Sequence, residues 1–215
     1  ANEQAISHLT HGLDLLAQLP PTQERDRLEY ALQAALSQPL LAKYGYATEQ
    51  QAYARAAELA EKLDEPDLLV PILFLQFTFH HVRGEYREAE ELTKRQFRLA
   101  ERTQTPAHFL QANFQASQLF LFTGRLPAAR RHLDAVLALL DQLPDDYSIL
   151  QSGNMGKLNA ANLASTIFWL QGYPDRALDY AGLAVEEAEK LGHAYWLALA
   201  QTVTLCQVRL LRRED

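Results

Sequence analysis

Apolar residues recur every three to four positions along nearly the whole chain, the spacing that places them on one face of an α-helix. The first such stripe includes Ala5, Leu9, Leu13 and Leu16. No stretch alternates apolar and polar residues convincingly with the period of two that a half-buried strand requires. The pattern therefore predicts an all-α protein.

Helix-breaking residues divide this pattern into segments. Glycine ends a helix through a left-handed turn, and proline is favoured in the first turn of the helix that follows. Between these breakers the pattern predicts about ten antiparallel helices, near residues 3–18, 22–37, 47–63, 67–83, 85–102, 106–123, 127–142, 157–171, 174–191 and 194–213.

A glycine followed five residues later by an alanine recurs at turns between predicted helices. The pairs are Gly84 with Ala89, Gly124 with Ala129, and Gly172 with Ala177. Glycine lets one helix end within a residue of the next, and alanine permits the two helices to cross closely. A looser copy starts at Gly45, and the four glycines are 39, 40 and 48 residues apart. This period predicts stacked helical hairpins, with a mobile or partner-contacting loop around Pro144 to Gly156 in the longest interval.

The repeated turn, Gly-x-Tyr/Leu/Pro-x-x-Ala, resembles the inter-helix turn of tetratricopeptide repeats, with helices longer than those of the ~34-residue unit. Stretches such as Val82-Arg83-Gly84-Glu85 and Trp169 to Leu178 are also similar to the C-terminal repeat region of large bacterial signalling proteins. In that family the repeats follow a class III adenylate/guanylate cyclase or kinase domain and a predicted signal-transduction ATPase.

This resemblance covers essentially the whole chain. It implies that residues 1–215 form a single tetratricopeptide-like repeat domain, an α-α superhelix. Because the ends lack the polar capping elements usual in solenoids, we expect an excerpt of a longer protein, or ends that pair with another copy. The resemblance also implies that any catalysis, such as nucleotide cyclisation or ATP hydrolysis, belongs to domains outside this chain.

Composition narrows the expected partners and location. The 215 residues carry a formal net charge of −7, which disfavours binding to nucleic-acid phosphates. The single cysteine, Cys206, lies in an apolar run, so we expect it to be buried and the protein to work in a reducing compartment. No apolar run reaches the ~18 residues of a membrane span, and no signal peptide is visible. We therefore expect a cytoplasmic protein with neither a nucleic-acid nor a membrane partner.

Motifs that carry chemistry are weak throughout the sequence. The segment from Gly153 to Leu158 comes nearest to a phosphate-binding loop, but it lacks the Ser or Thr that holds magnesium and follows no strand. His8 and His11 share a helix face without a third ligand at metal-binding spacing. We predict no catalytic residue, no metal and no cofactor, and therefore no enzyme.

In stacked hairpins of this type the first helix of each pair lines the concave surface. Counting back from the turn glycines predicts ten groove residues: Phe74, Thr78, His81, Gln111, Phe114, Gln118, Asn159, Asn162, Thr166 and Trp169. The aromatic members supply contact area to a partner or pack between repeats.

Asn159, Asn162 and Thr166 form a polar stripe on an otherwise apolar helix, and asparagine is unfavourable in a helix interior without a partner. Two interpretations stay open. The stripe clamps a peptide backbone or a polar small ligand, or it faces water or bonds a neighbouring helix.

The sequence therefore predicts a protein-interaction or signal-sensing module that binds a peptide or protein in its concave groove. One alternative is a small-ligand-sensing segment of a transcription activator, which a closed pocket of ~300–1,000 Å³ would favour. The other is homo-dimerisation through the ends of the solenoid.

Overall fold

The computed structural model describes residues 2–44, 46–142, 156–192 and 194–212, and their regular structure is entirely helical. The helices are α1 (Asn2–Leu16), α2 (Gln23–Tyr44), α3 (Tyr46–Leu63), α4 (Pro66–Val82), α5 (Tyr86–Thr103), α6 (Pro106–Phe122), α7 (Leu126–Leu140), α8 (Gly156–Leu170), α9 (Pro174–Leu191), α10 (Ala194–Leu199), a π-helical segment (Ala200–Cys206) and α11 (Gln207–Arg212). Successive helices pack against each other from α1 to α4 and from α6 to α9. The predicted all-α superhelical solenoid class is confirmed.

Two predicted features lie wholly or mostly outside the residues that the structure describes. The turn residue Gly45 lies outside the described residues, and so does the loop around Pro144 to Gly156 apart from Gly156 itself.

The predicted end of the second helix at residue 37 was wrong, because α2 continues to Tyr44 with Pro39 inside it. A proline removes one helix hydrogen bond, and the helix-favouring residues on both sides of Pro39 carry the helix through that loss.

Three glycine turns share one backbone geometry. Gly84, Gly124 and Gly172 have φ values of +74°, +73° and +83° and connect α4 to α5, α6 to α7 and α8 to α9. In each turn the glycine N–H donates to the carbonyl three residues earlier, and the next N–H donates to the carbonyl five residues before it, at distances of 2.8–3.1 Å. This is the Schellman arrangement, which satisfies the last carbonyls of the helix and reverses the chain at once.

Each turn is closed by a side-chain contact between two residues: the one directly after the glycine and the one four positions before the glycine. The three closing pairs use different chemistry: a hydrogen bond between Glu85 and His80 at 2.7 Å, the Arg125 guanidinium 4.3 Å from the Phe120 ring centre, and the Tyr173 and Phe168 rings 6.2 Å apart. The two positions and the backbone geometry of the turn repeat, but the residue types do not. A search of the sequence for repeated residues therefore does not detect this contact.

The alanines that follow the turn glycines are completely buried. Ala129 and Ala177 also accept hydrogen bonds through their backbone oxygens, from the Ser117 hydroxyl at 2.9 Å and the Ser165 hydroxyl at 2.8 Å. Each serine stands seven residues before its turn glycine, so the two hairpins carry the same buried cross-link. A small residue on both helices is what permits this close crossing.

The chain divides into two compact units, Ala1–Leu99 and Ala100–Asp215, and each is described by itself. In the first unit, α3 and α4 supply most of a core that includes Leu59, Ile72 and Leu73. The prediction of one repeat domain over residues 1–215 stays a prediction.

Buried acidic residues tie α2 to α3 within the first unit. Asp26 and Glu29 are 4% and 8% exposed, and they pair at 2.6 Å with Lys62 and Arg55 respectively. On the same helix the Tyr30 hydroxyl donates to the backbone oxygen of Leu68 on α4 at 2.7 Å, and burial raises the pKa of Tyr30 to about 12. Burying a carboxylate is costly unless an opposite charge pairs with it, and both of these carboxylates have such a partner.

The C-terminal helical stretch of the second unit contains seven π-helical residues between α10 and α11. Among the residues of this stretch whose burial is described, the buried ones are Ala200, Thr204 and Val208, four residues apart. The predicted burial of Cys206 was wrong, because its side chain is exposed. Cys206 stands two residues from both Thr204 and Val208, and two residues along a helix turn a side chain to nearly the opposite face.

Two glutamines interrupt the apolar interior. Gln96 on α5 and Gln115 on α6 are fully buried, and their side-chain amide atoms have no hydrogen-bond partner among the described residues. The positions equivalent to Gln115 in the other repeats, counted back from the turn glycine, are Leu75 and Leu163. An unpaired buried amide costs about 1–3 kcal/mol.

The turn geometry predicts opposite effects for two glycine-to-alanine changes. A Cβ at Gly124 would meet no atom within 4 Å, so Gly124→Ala tests the positive φ alone and should lower the unfolding free energy by about 1 kcal/mol. Gly182 lies inside α9 with similar free space and no positive φ, so Gly182→Ala should raise stability by about 0.5–1 kcal/mol. Urea denaturation followed by circular dichroism measures both, and a loss at Gly182 equal to that at Gly124 would contradict the assignment.

Two buried polar residues of α6 should also respond with opposite signs. Gln115→Leu removes an unpaired amide and should stabilise the protein by about 1–3 kcal/mol. Ser117→Ala removes a satisfied hydroxyl and should cost about 1 kcal/mol. Thermal unfolding of the two variants beside the parent chain makes the comparison, and a destabilised Gln115→Leu would mean that the amide has a partner in solution.

Candidate functional site

The ten predicted groove residues occupy very different environments. On α4, Phe74, Thr78 and His81 are half-buried, and the Thr78 hydroxyl donates to the Phe74 carbonyl of its own helix at 2.9 Å. On α6, Gln111 and Phe114 are only 2% and 3% exposed, while Gln118 is half-buried. Gln111 and Phe114 therefore have too little exposed surface to form part of the candidate site.

The polar stripe on α8 meets the C-terminal helical stretch. The Thr204 hydroxyl donates to Asn162 Oδ1 at 2.6 Å, which corresponds to the interpretation that this asparagine bonds a neighbouring helix. Thr166 is exposed and its hydroxyl donates to the Asn162 carbonyl at 3.2 Å. Asn159 and Trp169 are half-buried. Thr204 lies in the π-helical segment, so this bond joins α8 to the C-terminal stretch.

A cavity of about 160 Å³ opens beside this hydrogen bond, and we call it the α8 groove. Its lining residues are Ser165, Thr166, Trp169 and Leu170 from α8, with Thr204, Gln207, Val208 and Leu211 from the C-terminal stretch. Leu170 and Leu211 are 52% and 51% exposed at its edge. The volume is below the ~300 Å³ of a typical small-molecule site, so the groove suits one side chain of a larger partner.

A larger cavity of about 400 Å³ lies between α3, α4 and α5, and we call it the α3–α5 pocket. It is lined by Tyr53, Ala54, Gln76, Phe79, His80, Arg87, Glu88, Glu91 and Leu92. Sequence reasoning missed it because only the expected concave face of α4 was considered. Gln76, Phe79 and His80 lie about half a turn around α4 from the predicted groove residues on that helix. Polar Gln76 and His80 in the mostly apolar α4 are the signal that could have revealed it.

Charged residues at the pocket are held by defined contacts. Glu85 accepts a hydrogen bond from Arg83 Nε at 2.6 Å and pairs with His80 Nδ1 at 2.7 Å, and these two contacts, Arg83 first, hold the pKa of Glu85 below its usual value. The ionised Glu85 in turn fixes the ring of His80 at the pocket wall. Lys94 donates to Glu91 at 2.8 Å and lowers the pKa of Glu91 in the same way.

Other chemistry is sparse in the part of the chain that is described. Over these residues no group of three or more histidine, cysteine, aspartate or glutamate side chains is arranged to hold a metal ion. None of the described helices combines the length and apolar character needed to cross a bilayer.

The stacked hairpins define the class of the protein as an all-α superhelical repeat. The crystal structure of BtubC (BKLC) from P. vanneervenii has a similar fold, with a TM-score of 0.70 and 15% sequence identity over 100% of this chain and 85% of that chain. At this identity the similarity shows the fold alone. No protein-family model matches the chain, and no curated protein matches it.

The contact between Asn162 and Thr204 can be measured by a double-mutant cycle. Asn162→Ala, Thr204→Val and the double variant should show a coupling energy of about 0.5–1.5 kcal/mol in unfolding experiments. Thr202 provides the control, because its hydroxyl bonds the Ala198 carbonyl of its own helix. Asn162→Ala and Thr202→Val should therefore be additive, and additivity of the Asn162 and Thr204 changes would refute the contact.

Proposed function

We propose that this chain is a protein-interaction module that binds an extended peptide or protein segment through the α8 groove. The observation that carries the proposal is the composition of this groove, in which Trp169, Leu170 and Leu211 surround a cavity beside the polar side chains of Thr166 and Gln207. Tryptophan is enriched among the residues that dominate binding energy at protein interfaces.

Binding would proceed by insertion of one apolar side chain of the partner. The apolar side chain fills the cavity against the Trp169 ring, while the Thr166 hydroxyl and the Gln207 amide bond the partner's backbone. Such a mode uses a few central contacts for affinity and leaves the surrounding surface to exclude water.

The regulatory context of this binding is a further part of the proposal, supported by the resemblance to bacterial signalling proteins. Within that proposal the module works in the cytoplasm and its occupancy biases the activity of attached domains. The chain's net charge of −7 supports a protein or peptide partner over nucleic acid.

A second candidate function is the sensing of a small ligand. The α3–α5 pocket favours it, since about 400 Å³ falls within the ~300–1,000 Å³ range of small-molecule sites. Homo-dimerisation stays a further prediction, to be decided by light scattering over a range of concentrations.

Peptide display tests the leading proposal even when the natural partner is unidentified. Random peptides are selected on the folded chain, and their affinities are measured by fluorescence anisotropy. Trp169→Ala should weaken binding by about tenfold or more, the change expected when a central interface residue is truncated. Thr166→Arg, which places a long charged side chain at the groove, should have a similar effect.

Val82→Ala is the matched control, because Val82 is 52% exposed and lies outside the groove. Its affinity should equal that of the parent chain, and circular dichroism should show that all variants are folded. Peptides that bind Trp169→Ala and Thr166→Arg as tightly as the parent would exclude the α8 groove as the binding site.

A further inference from the structure

The α3–α5 pocket has an aromatic and aliphatic interior. Tyr53 and Phe79 are 2% and 6% exposed, and half-buried Leu92 completes this apolar surface. All nine lining residues belong to the first unit, whereas the α8 groove belongs to the second. The pocket is therefore a separate site, and the interaction proposed for the α8 groove makes no use of it.

Charges of both signs line the same pocket without closing into an ion pair with one another. No ion pair shorter than 4.0 Å joins Arg87 or Glu88 to another described residue. Glu91 stands four residues after Arg87 on the same face of α5, but its carboxylate is held by Lys94 at 2.8 Å. A guanidinium and a carboxylate thus stay available beside the apolar interior, with Glu91 as a second carboxylate.

This charge pattern restricts the chemistry of a ligand. A simple anion would meet Glu88 and Glu91, and a simple amine would meet Arg87, so either would face a like charge at close range. Juxtaposed like charges are one of the means by which binding sites reject wrong ligands. A molecule that carries both an acidic and a basic group on one apolar body can place each of its charges beside a pocket residue of opposite charge.

We propose that the α3–α5 pocket binds a small zwitterion, an aromatic amino acid or a close analogue of one. The carboxylate of the ligand pairs with Arg87, where the planar guanidinium can engage both oxygens. Its ammonium group lies between Glu88 and Glu91. Its ring packs against Phe79, Tyr53 and Leu92, in the offset or edge-to-face arrangements that aromatic pairs prefer.

Hydrogen-bonding groups at the wall complete the site. His80 is fixed by its 2.7 Å contact with Glu85, and the Gln76 amide lies on the same face of α4. Held in place, His80 adds a polar contact without the cost of ordering a mobile group on binding, and Gln76 offers a further amide.

Four groups of probes separate the contributions of the two charges and the ring. The full ligands are L-phenylalanine, L-tyrosine and L-tryptophan. Phenethylamine lacks the carboxylate, 3-phenylpropionate lacks the amine and glycine lacks the ring. We expect saturable binding of at least one aromatic amino acid by titration calorimetry, and binding about tenfold or more weaker for each probe that lacks one group.

Charge variants assign each group of the ligand to its partner. Arg87→Gln should remove the preference for L-phenylalanine over phenethylamine. Glu88→Gln combined with Glu91→Gln should remove the preference over 3-phenylpropionate. Arg98→Gln and Glu101→Gln alter exposed charges of α5 outside the pocket, so both preferences should survive in these controls.

A steric variant tests whether binding occurs in this cavity. Ala54 is exposed and lines the pocket, so Ala54→Trp can fill the space with little effect on folding, and it should abolish binding. Trp169→Ala should bind L-phenylalanine like the parent, which separates this site from the α8 groove. The proposal is overturned if no aromatic amino acid shows saturable binding to the folded chain, or if Ala54→Trp and Arg87→Gln bind as the parent does.

Discussion

The left-handed turn at each glycine is the constraint on which the hairpins depend. Two backbone hydrogen bonds at Gly84, Gly124 and Gly172 satisfy the carbonyls at the end of one helix and start the next within two residues. Because the connection is so short, the paired helices must cross closely, and the crossing point admits only a small side chain such as Ala129 or Ala177. The hairpin packing thus follows from a backbone conformation that glycine adopts without strain.

Much of this architecture could be predicted from the sequence, because glycine, proline and apolar spacing act locally. The boundary of α2 could not, since a proline lowers helix stability without forbidding the helix, as Pro39 demonstrates. The exposure of Cys206 could not either, because the apolar run around it does not tell which face of the helix α8 and α9 cover.

The candidate sites were less predictable than the fold, for a related reason. Counting along a helix gives the direction of a side chain, but the helices packed on either side decide whether it reaches a surface. Asn159 and Asn162 are half-buried, whereas Gln111 and Phe114, which stand at the same distances before their turn glycine, are almost completely buried. The α3–α5 pocket needs three helices to form, and no single stretch of sequence contains it.

The different closing pairs of the turns have a consequence for how such repeats diverge. Each pair links positions five residues apart across one glycine, so both side chains of the pair can be replaced together without moving either helix. At the Gly124 and Gly172 turns the contact packs Arg125 or Tyr173 on a phenylalanine ring, whereas at the Gly84 turn Glu85 holds His80 at the wall of a pocket. A residue that stabilises a turn, such as Glu85, can thus also position a side chain of a binding pocket. Binding specificity can then change in one hairpin while the neighbouring hairpins keep their structure.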